Sequence, residues 1–120
     1  MKLITVVEAH NTLDSLADQQ NIGAHLAYWM TKFVVKTQSD AEFYAASASK
    51  IYEEFGEKSE DGNLVVKGEK VEAFKKALEK LQNTEAEDPG IRFSLSELAS
   101  ELKLSMKQMY PLLDFIDEDK

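Results

Sequence analysis

His10, Asp14 and Asp18 are the residues of this chain whose types and spacing come nearest to a metal site. They stand four residues apart, so on a helix they share one face, where an imidazole and a carboxylate one turn away can hold a metal ion. This set does not complete a coordination shell, and no second His, Asp or Glu pair has matching spacing. The sequence therefore predicts no metal site, and we interpret this face as solvated.

His25 is the other side chain that could take part in acid–base chemistry. A histidine base acts on a nucleophile beside it, and the sequence places no Ser or Cys next to His25. The pairs Glu53-Glu54 and Glu87-Asp88 do not help, because adjacent residues on a helix point in different directions and cannot share one proton. No cysteine and no glycine-rich phosphate loop is present. We therefore expect no enzyme, no catalytic residue and no cofactor.

The composition indicates one acidic domain. With 120 residues and 43% hydrophobic content, the chain can bury a modest core, and we predict a single domain over 1–120. Its formal net charge of -8 repels phosphate backbones, which disfavours nucleic-acid and anionic-membrane partners. The apolar runs are too short for a transmembrane helix, and the N-terminal residues lack the pattern of a signal peptide. We predict a cytoplasmic protein.

The most informative segment is predicted to form one long helix over 23–56. No proline and no glycine after Gly23 interrupts it, and Gly56 stands where a left-handed C-terminal cap is expected. At 1.5 Å per residue the helix would be about 50 Å long, more than a globule of this size can cover on all sides. Its apolar stripe consists of Ile22, Leu26, Trp29, Phe33, Thr37, Tyr44, Ile51 and Phe55.

Shorter elements surround this helix. The capping-box spacing of Thr5 and Glu8 predicts that a first helix begins there, and a short polar connector favours its folding back beside the long helix. The helix over 69–83 is expected to lie antiparallel to the C-terminal half of the long helix. Two short segments, 63–66 and 91–94, are expected to pair as a ribbon. In chain order we predict helices over 5–19, 23–56, 69–83, 95–102 and 105–116, and short strands over 63–66 and 91–94.

Residues 94–113 resemble a helix-turn-helix by the spacing of their apolar positions. Lys103 occupies the turn position that is commonly glycine, and Pro111 falls inside what would be the groove-reading helix. With Asp114 just beyond this segment, three acidic side chains stand against two lysines, which opposes DNA binding. We favour a helical hairpin that closes the core, with DNA recognition as the alternative.

The C-terminal tail carries Asp114, Asp117, Glu118 and Asp119 at the expected end of a helix, where the helix dipole disfavours negative charge. Either this tail frays, or its carboxylates are offered to a partner together with Phe115 and Ile116.

The order of elements resembles that of a family of small phage and prophage proteins from Gram-positive hosts, which has no known function. The resemblance covers nearly the whole chain. It is carried by Asn11-Thr12-Leu13 and Leu16, the turn Glu60-Asp61-Gly62-Asn63-Leu64, Phe74 and Leu78, and Leu104-Ser105-Met106. It implies a phage-encoded protein that acts inside the bacterial cell or in virion assembly and binds another protein, and it supplies no catalytic residue.

Together these observations predict a mainly α (α+β) fold, in which helices pack antiparallel around the long helix beside a minor two-stranded ribbon. The expected function is noncatalytic binding of a host or virion protein, with either that protein or a second copy covering the long helix. An acidic inhibitor that mimics phosphate toward a host defence or nucleic-acid enzyme is the alternative, and a DNA-binding regulator is the third. Candidate partner-binding residues are Trp29, Phe33, Phe43, Tyr44, Glu53, Glu54, Phe115, Asp117 and Glu118.

Overall fold

A computed structural model describes residues 1–19 and 21–117 and shows a mainly helical fold with little β-structure. The α-helices are α1 (Leu3–Ser15), α2 (Ala24–Phe55), α3 (Val71–Gln82), α4 (Leu95–Glu101) and α5 (Met106–Met109). Short 3-10 helices cover Gly68–Lys70 and Tyr110–Phe115. The strands are β1 (Gly56–Lys58), β2 (Leu64–Val66), β3 (Phe93–Ser94) and β4 (Ile116–Asp117).

The predicted long helix is confirmed, because α2 runs without a break for 32 residues. It accounts for the elongated shape of the molecule, which measures 50 × 31 × 23 Å along its principal axes. The expected left-handed cap at Gly56 is wrong. Gly56 is extended, with φ -87° and ψ 149°, because it already pairs with Val66 as the first residue of β1.

The first helix begins before the predicted capping box and ends at Ser15 rather than near Gln19. Its N-cap is Lys2, and no side chain caps it, so the Thr5 and Glu8 box is not formed. Tertiary contacts set this start, since Leu3 N–H donates to Thr84 O at 2.8 Å and Ala86 N–H donates to Met1 O at 2.8 Å. These two hydrogen bonds therefore fix the backbone at the start of α1 against residues 84–86.

The main core lies where α1, the first half of α2 and the C-terminal segment meet. Phe33 of α2 is at its centre, with ring centroids 4.9 Å from Phe115 and 5.9 Å from Phe93. Both aromatic pairs join residues that are distant in sequence, so this cluster closes the fold. The buried members are Val6, Ala9, Leu13, Leu16, Leu26, Met30, Phe33, Ile91, Phe93, Leu98, Leu102, Leu112 and Phe115.

The second half of α2 forms what we call the arm, residues 38–82, together with β1, β2 and α3. Helix α3 lies antiparallel to α2 as predicted: Gln82 Nε2 donates to Tyr44 Oη at 3.4 Å at one end. At the other end the ring of Phe74 packs against Tyr52 and Phe55. A small second core of Leu3, Val7 and Leu81 joins the arm to α1.

The predicted ribbon between 63–66 and 91–94 is wrong. Strand β2 pairs antiparallel with β1, which follows directly from α2, and Gly62, with φ 86°, supplies the turn between them. Strand β3 pairs instead in parallel with β4 at the C-terminal end. A local hairpin has a short loop to close, so its pairing costs less chain entropy than a contact across α3.

The predicted helix over 105–116 is also corrected. Helix α5 is a single turn with a capping box between Ser105 and Gln108, and it tightens into a 3-10 helix with Pro111 in its first turn. Proline has no N–H to donate to the preceding turn, so the α-helix does not continue through it. Asp117 consequently lies in β4 and not at the end of an α-helix.

Candidate functional site

Two of the predicted partner-binding aromatics are core residues. Phe33 and Phe115 are fully buried and pack edge-to-face against each other. Their proposed contact with a partner is therefore wrong, because a side chain with no exposed surface cannot be reached without unfolding the core. The stripe spacing that drew attention to Phe33 is also the spacing of a core-facing position.

His10 is not on a solvated face, which corrects the sequence interpretation. Its side chain is 4% exposed, and its Nδ1 lies 2.8 Å from Thr37 Oγ1. Thr37 donates its own hydroxyl to Phe33 O at 2.8 Å, so His10 Nδ1–H is the donor in the first bond. Asp14 and Asp18 are exposed. Within residues 1–19 and 21–117, no cluster of three or more potential ligands is placed to hold a metal ion.

The arm brings together three of the predicted residues. Phe43 is 55% exposed, and Glu54 is three helical turns further along the same face of α2, with Glu53 beside it. Tyr44 points to the inner side instead, where it is half-buried and accepts a bond from Gln82. Phe43, Glu53 and Glu54 therefore all lie on the outer side of the arm, while Tyr44 belongs to the packing between α2 and α3.

The tip of the arm exposes further apolar side chains that sequence analysis missed. Tyr52, Leu64 and Val65 are between 44% and 49% exposed. The ring of the half-buried Phe74 lies 5.0 Å from that of Tyr52 and 6.4 Å from that of Phe55. The apolar sequence of Leu64–Val66 could have indicated this exposed surface. The predicted pairing with 91–94 would instead have covered these side chains.

A cleft at the other end of α2 combines an aromatic side chain with charged side chains. We call it the Trp29 cleft: it encloses about 400 Å³ and is lined by residues 90–93 and by His25, Trp29, Ser94, Glu97 and Asp117. His25 Nδ1 and Glu97 Oε2 are 2.8 Å apart. Two predicted residues, Trp29 and Asp117, thus meet in one site, which neither the long helix nor the tail alone could indicate.

Helix α4 builds this cleft by docking on the start of α2. Gly23 N–H donates to Glu101 Oε1 at 2.6 Å, which satisfies a free donor at the helix N-terminus. One turn earlier on α4, Glu97 contacts His25. The partner for His25 that the sequence did not provide is therefore a carboxylate 72 positions away, which no local pattern could find.

Arg92 forms the charged wall of the cleft. Its Nη2 and Nη1 donate to the two carboxylate oxygens of Asp88, at 2.6 and 3.0 Å, and its guanidinium lies 5.3 Å from the ring centroid of Phe115. These hydrogen bonds, followed by one from Gly90 N–H, lower the pKa of Asp88 to about 2. Asp88 is also the main cause that raises the pKa of Arg92, and Asp117 and Asp114 add to it. Carboxylates therefore surround this guanidinium.

The C-terminal helix pair exposes an apolar row rather than a charged one. Met106 is 90% exposed, and Tyr110 and Leu113 follow it at intervals of four and three residues, also exposed. Leu112 and Phe115 on the opposite side are buried in the core. The segment thus closes the core, as the hairpin interpretation predicts, while the helix that would enter a DNA groove is reduced to the single turn of α5.

No protein-family model, no curated protein and no solved structure matches this chain significantly. The resemblance to small phage proteins therefore stays a prediction. In the described part of the chain, no helix combines the length and the hydrophobicity needed to cross a membrane. The candidate surfaces rest on the geometry of this chain alone.

Proposed function

We propose that this chain is a noncatalytic protein-interaction protein whose arm is covered by a different protein. One observation carries the proposal: beyond Thr37, α2 contributes no fully buried side chain, although it continues as a helix to Phe55. An amphipathic helix normally gains its stability from burying one face. Among the described residues, α3, the β1–β2 hairpin and two α1 side chains, Leu3 and Val7, cover this half of α2, and they leave its contacting residues only half-buried.

The shape of the molecule supports the same function. Its radius of gyration is 17.2 Å, whereas a compact domain of this length would have about 13.6 Å. The difference arises because the arm projects from the core. Exposed apolar side chains at its tip, Tyr52, Leu64 and Val65, are the types that contribute to protein interfaces when they are covered.

The chemistry of the arm favours a partner unlike the chain itself. Each copy carries a formal net charge of -8, so two copies repel each other at long range. Glu53 and Glu54 are exposed on the outer side of the arm, three helical turns from the exposed Phe43. The fitting partner surface is an apolar groove with lysine or arginine at its rim. The phage resemblance and the absence of cysteine favour the cytoplasm of a bacterial host as the setting.

A capture experiment with matched variants tests this proposal. The wild-type chain, a Tyr52→Ser/Leu64→Ser variant and a Met106→Ser/Tyr110→Ser control are immobilised and exposed to bacterial lysate. The control removes comparable exposed apolar surface from the C-terminal row. We expect a protein that the wild type and the control retain and that the arm variant loses. Equal retention by all three, or retention of nothing, would contradict the proposal.

Light scattering separates a second copy from a different protein. We expect a monomer whose mass does not change with concentration. A dimer that dissociates in the Tyr52→Ser/Leu64→Ser variant would show that the arm binds itself, and the proposal of a different partner would then be wrong.

Phosphate mimicry is the second candidate, and the acidity of the chain favours it. A mimic would lose its partner steeply between low and moderate salt, whereas an apolar interface would change little. Its predicted acids are divided between two places, with Glu53 and Glu54 on the arm and Asp117 at the cleft, while Glu118 lies outside the described residues. A DNA-binding regulator has weaker support still, since α5 is one turn long. A gel shift at low salt would test it.

A further inference from the structure

The Trp29 cleft is a second concave surface, separate from the arm. We propose that it binds a cationic side chain, best an arginine guanidinium, presented by a basic peptide segment of a protein. The cleft is built from the start of α2, from α4 and from the paired strands β3 and β4, none of which belongs to the arm.

An aromatic wall gives the cleft one part of this specificity. Trp29 is partly buried, and its indole lines the cleft. Lys32 Nζ lies 5.4 Å from its centroid, so an incoming guanidinium would compete with this exposed ammonium for the ring. A guanidinium is planar and more weakly hydrated than an ammonium, so it loses less on leaving water and can stack on an indole.

The charges of the lining give the second part. Glu97 and Asp117 place two carboxylates on the cleft, and Arg92 in its lining is already engaged by the two oxygens of Asp88. Lys32, beside Trp29, adds one further positive charge near the cleft. Asp114 acts on the same guanidinium. The cleft therefore has negative charge in excess of positive, which attracts a cation and repels phosphate or a ligand carboxylate.

The Glu97 carboxylate has a hydrogen-bond partner, and the backbone of Asp117 is held in a strand, before any ligand arrives. Glu97 contacts His25 at 2.8 Å, and its N–H donates to the cap residue Ser94 Oγ at 3.3 Å. Asp117 stands directly opposite Ser94 in the β3–β4 pairing. The Glu97 side chain is 29% exposed, so its charge is screened less by solvent than that of a fully exposed residue. A ligand would thus meet a preformed site and would not need to order it.

The chain has a single tryptophan, so all tryptophan fluorescence comes from Trp29, which lines this cleft. The whole chain is titrated at low salt with three blocked peptides of sequence Gly-X-Gly, in which X is arginine, lysine or citrulline. Citrulline keeps the shape of arginine but has no charge. We expect a saturable change with the arginine peptide, a weaker one with lysine, and affinity lower by about tenfold or more with citrulline.

Two double variants separate a local site from general attraction to an acidic protein. Glu97→Gln/Asp117→Asn removes two charges from the cleft, and Glu53→Gln/Glu54→Gln removes the same two charges from the arm. We expect the cleft variant to lose about tenfold in affinity for the arginine peptide and the arm variant to stay within about twofold. The single Asp117→Asn variant, at an exposed position, repeats the test if the double variant does not fold.

Equal binding of arginine and citrulline peptides, or equal losses in the two double variants, would overturn the inference. So would a titration with no fluorescence change up to millimolar peptide. The inference relies on the proposed function only in taking the cation to come from a protein. Failure of this inference can be distinguished from failure of the proposed function. The peptide titration does not require a partner on the arm, and the capture experiment does not depend on the charges of the cleft.

Discussion

His10 Nδ1 donates a hydrogen bond of 2.8 Å to Thr37 Oγ1 inside the interface between α1 and α2. Within the part of the chain that the structure describes, these two residues are the buried polar pair of an otherwise apolar core. The Thr37 hydroxyl in turn donates a hydrogen bond to Phe33 O in the preceding turn of α2. This short chain of bonds fixes the register of α1 on α2 at the point where the main core ends and the arm begins.

Thr37→Val should therefore destabilise the protein although it keeps the shape of the side chain. The substitution leaves the His10 Nδ1–H without its partner in a buried site, which costs about 1–3 kcal/mol. Chemical denaturation of the wild type and the variant measures this. In the double variant His10→Leu/Thr37→Val no polar group is left unsatisfied, and it should recover part of the loss. If the double variant loses as much stability as Thr37→Val, or more, the unsatisfied His10 donor is not the cause of the loss.

The contact between Asp88 and Arg92 should appear in the acid stability of the protein. The pKa of Asp88 is lowered to about 2 in the folded state, below its unfolded value of about 3.9. Its stabilisation is thus fully present above pH of about 4 and is lost as the pH falls through about 2. Since the Asp88 side chain is 44% exposed, solvent screening limits the effect to under about 1 kcal/mol.

Denaturation of Asp88→Asn and of a Glu87→Gln control between pH 2 and 7 checks this prediction. Relative to wild type, the Asp88→Asn variant should be less stable at neutral pH, and the difference should vanish toward pH 2. The Glu87→Gln variant changes the same charge at an exposed neighbouring position. A difference that stays constant over the whole pH range would contradict the assigned cause.

Gly23→Ala should weaken the junction between α2 and α4. A Cβ at Gly23 would overlap Glu101 Oε1, so the carboxylate must move away from the Gly23 N–H whose hydrogen bond it accepts. We expect a loss of about 1 kcal/mol, similar to the loss of a helix N-cap. Thermal unfolding measures it. Gly68→Ala is the matched control, because a Cβ there meets no atom within 4 Å; equal losses in both variants would refute the explanation.

The arm should be the less stable part of the molecule. Phe33→Ala removes a fully buried ring and should cost about 3–5 kcal/mol. Phe74→Ala removes a ring that is only half-buried at the arm tip and should cost roughly half as much. Amide hydrogen exchange should show lower protection in α3 than in the first half of α2. Equal protection in the two regions, in the absence of a partner, would show that the arm is not open to solvent as described.

Local patterns predicted the helical elements because their causes are local. The unbroken period of α2 and the stripe of α3 are properties of consecutive residues, and both helices appear close to their predicted bounds. The strand pairing was wrong because it depends on which segments meet. Gly56 was expected as a helix cap but pairs with Val66 in β2. Phe93 was expected opposite Leu64–Val66 but pairs with Ile116 in β4.

The candidate sites likewise include residues that a local pattern indicates and residues that only the docking of helices brings together. Exposure of Phe43, Glu53 and Glu54 follows from their place on the outer face of a helix, which the sequence indicates. The Trp29 cleft does not follow from any segment, because His25 and Glu97 come together only when α4 docks on α2.

The sequence by itself determined a long uninterrupted helix and an acidic, cysteine-free chain, because helical period and charge are set by neighbouring residues and by composition. Only the tertiary structure decided which face of that helix is covered. Burial of Phe33 and Phe115, exposure of the arm tip and assembly of the Trp29 cleft depend on side chains that are far apart in the chain. The free energy of these contacts arises from the packed fold as a whole and is not present in any single segment.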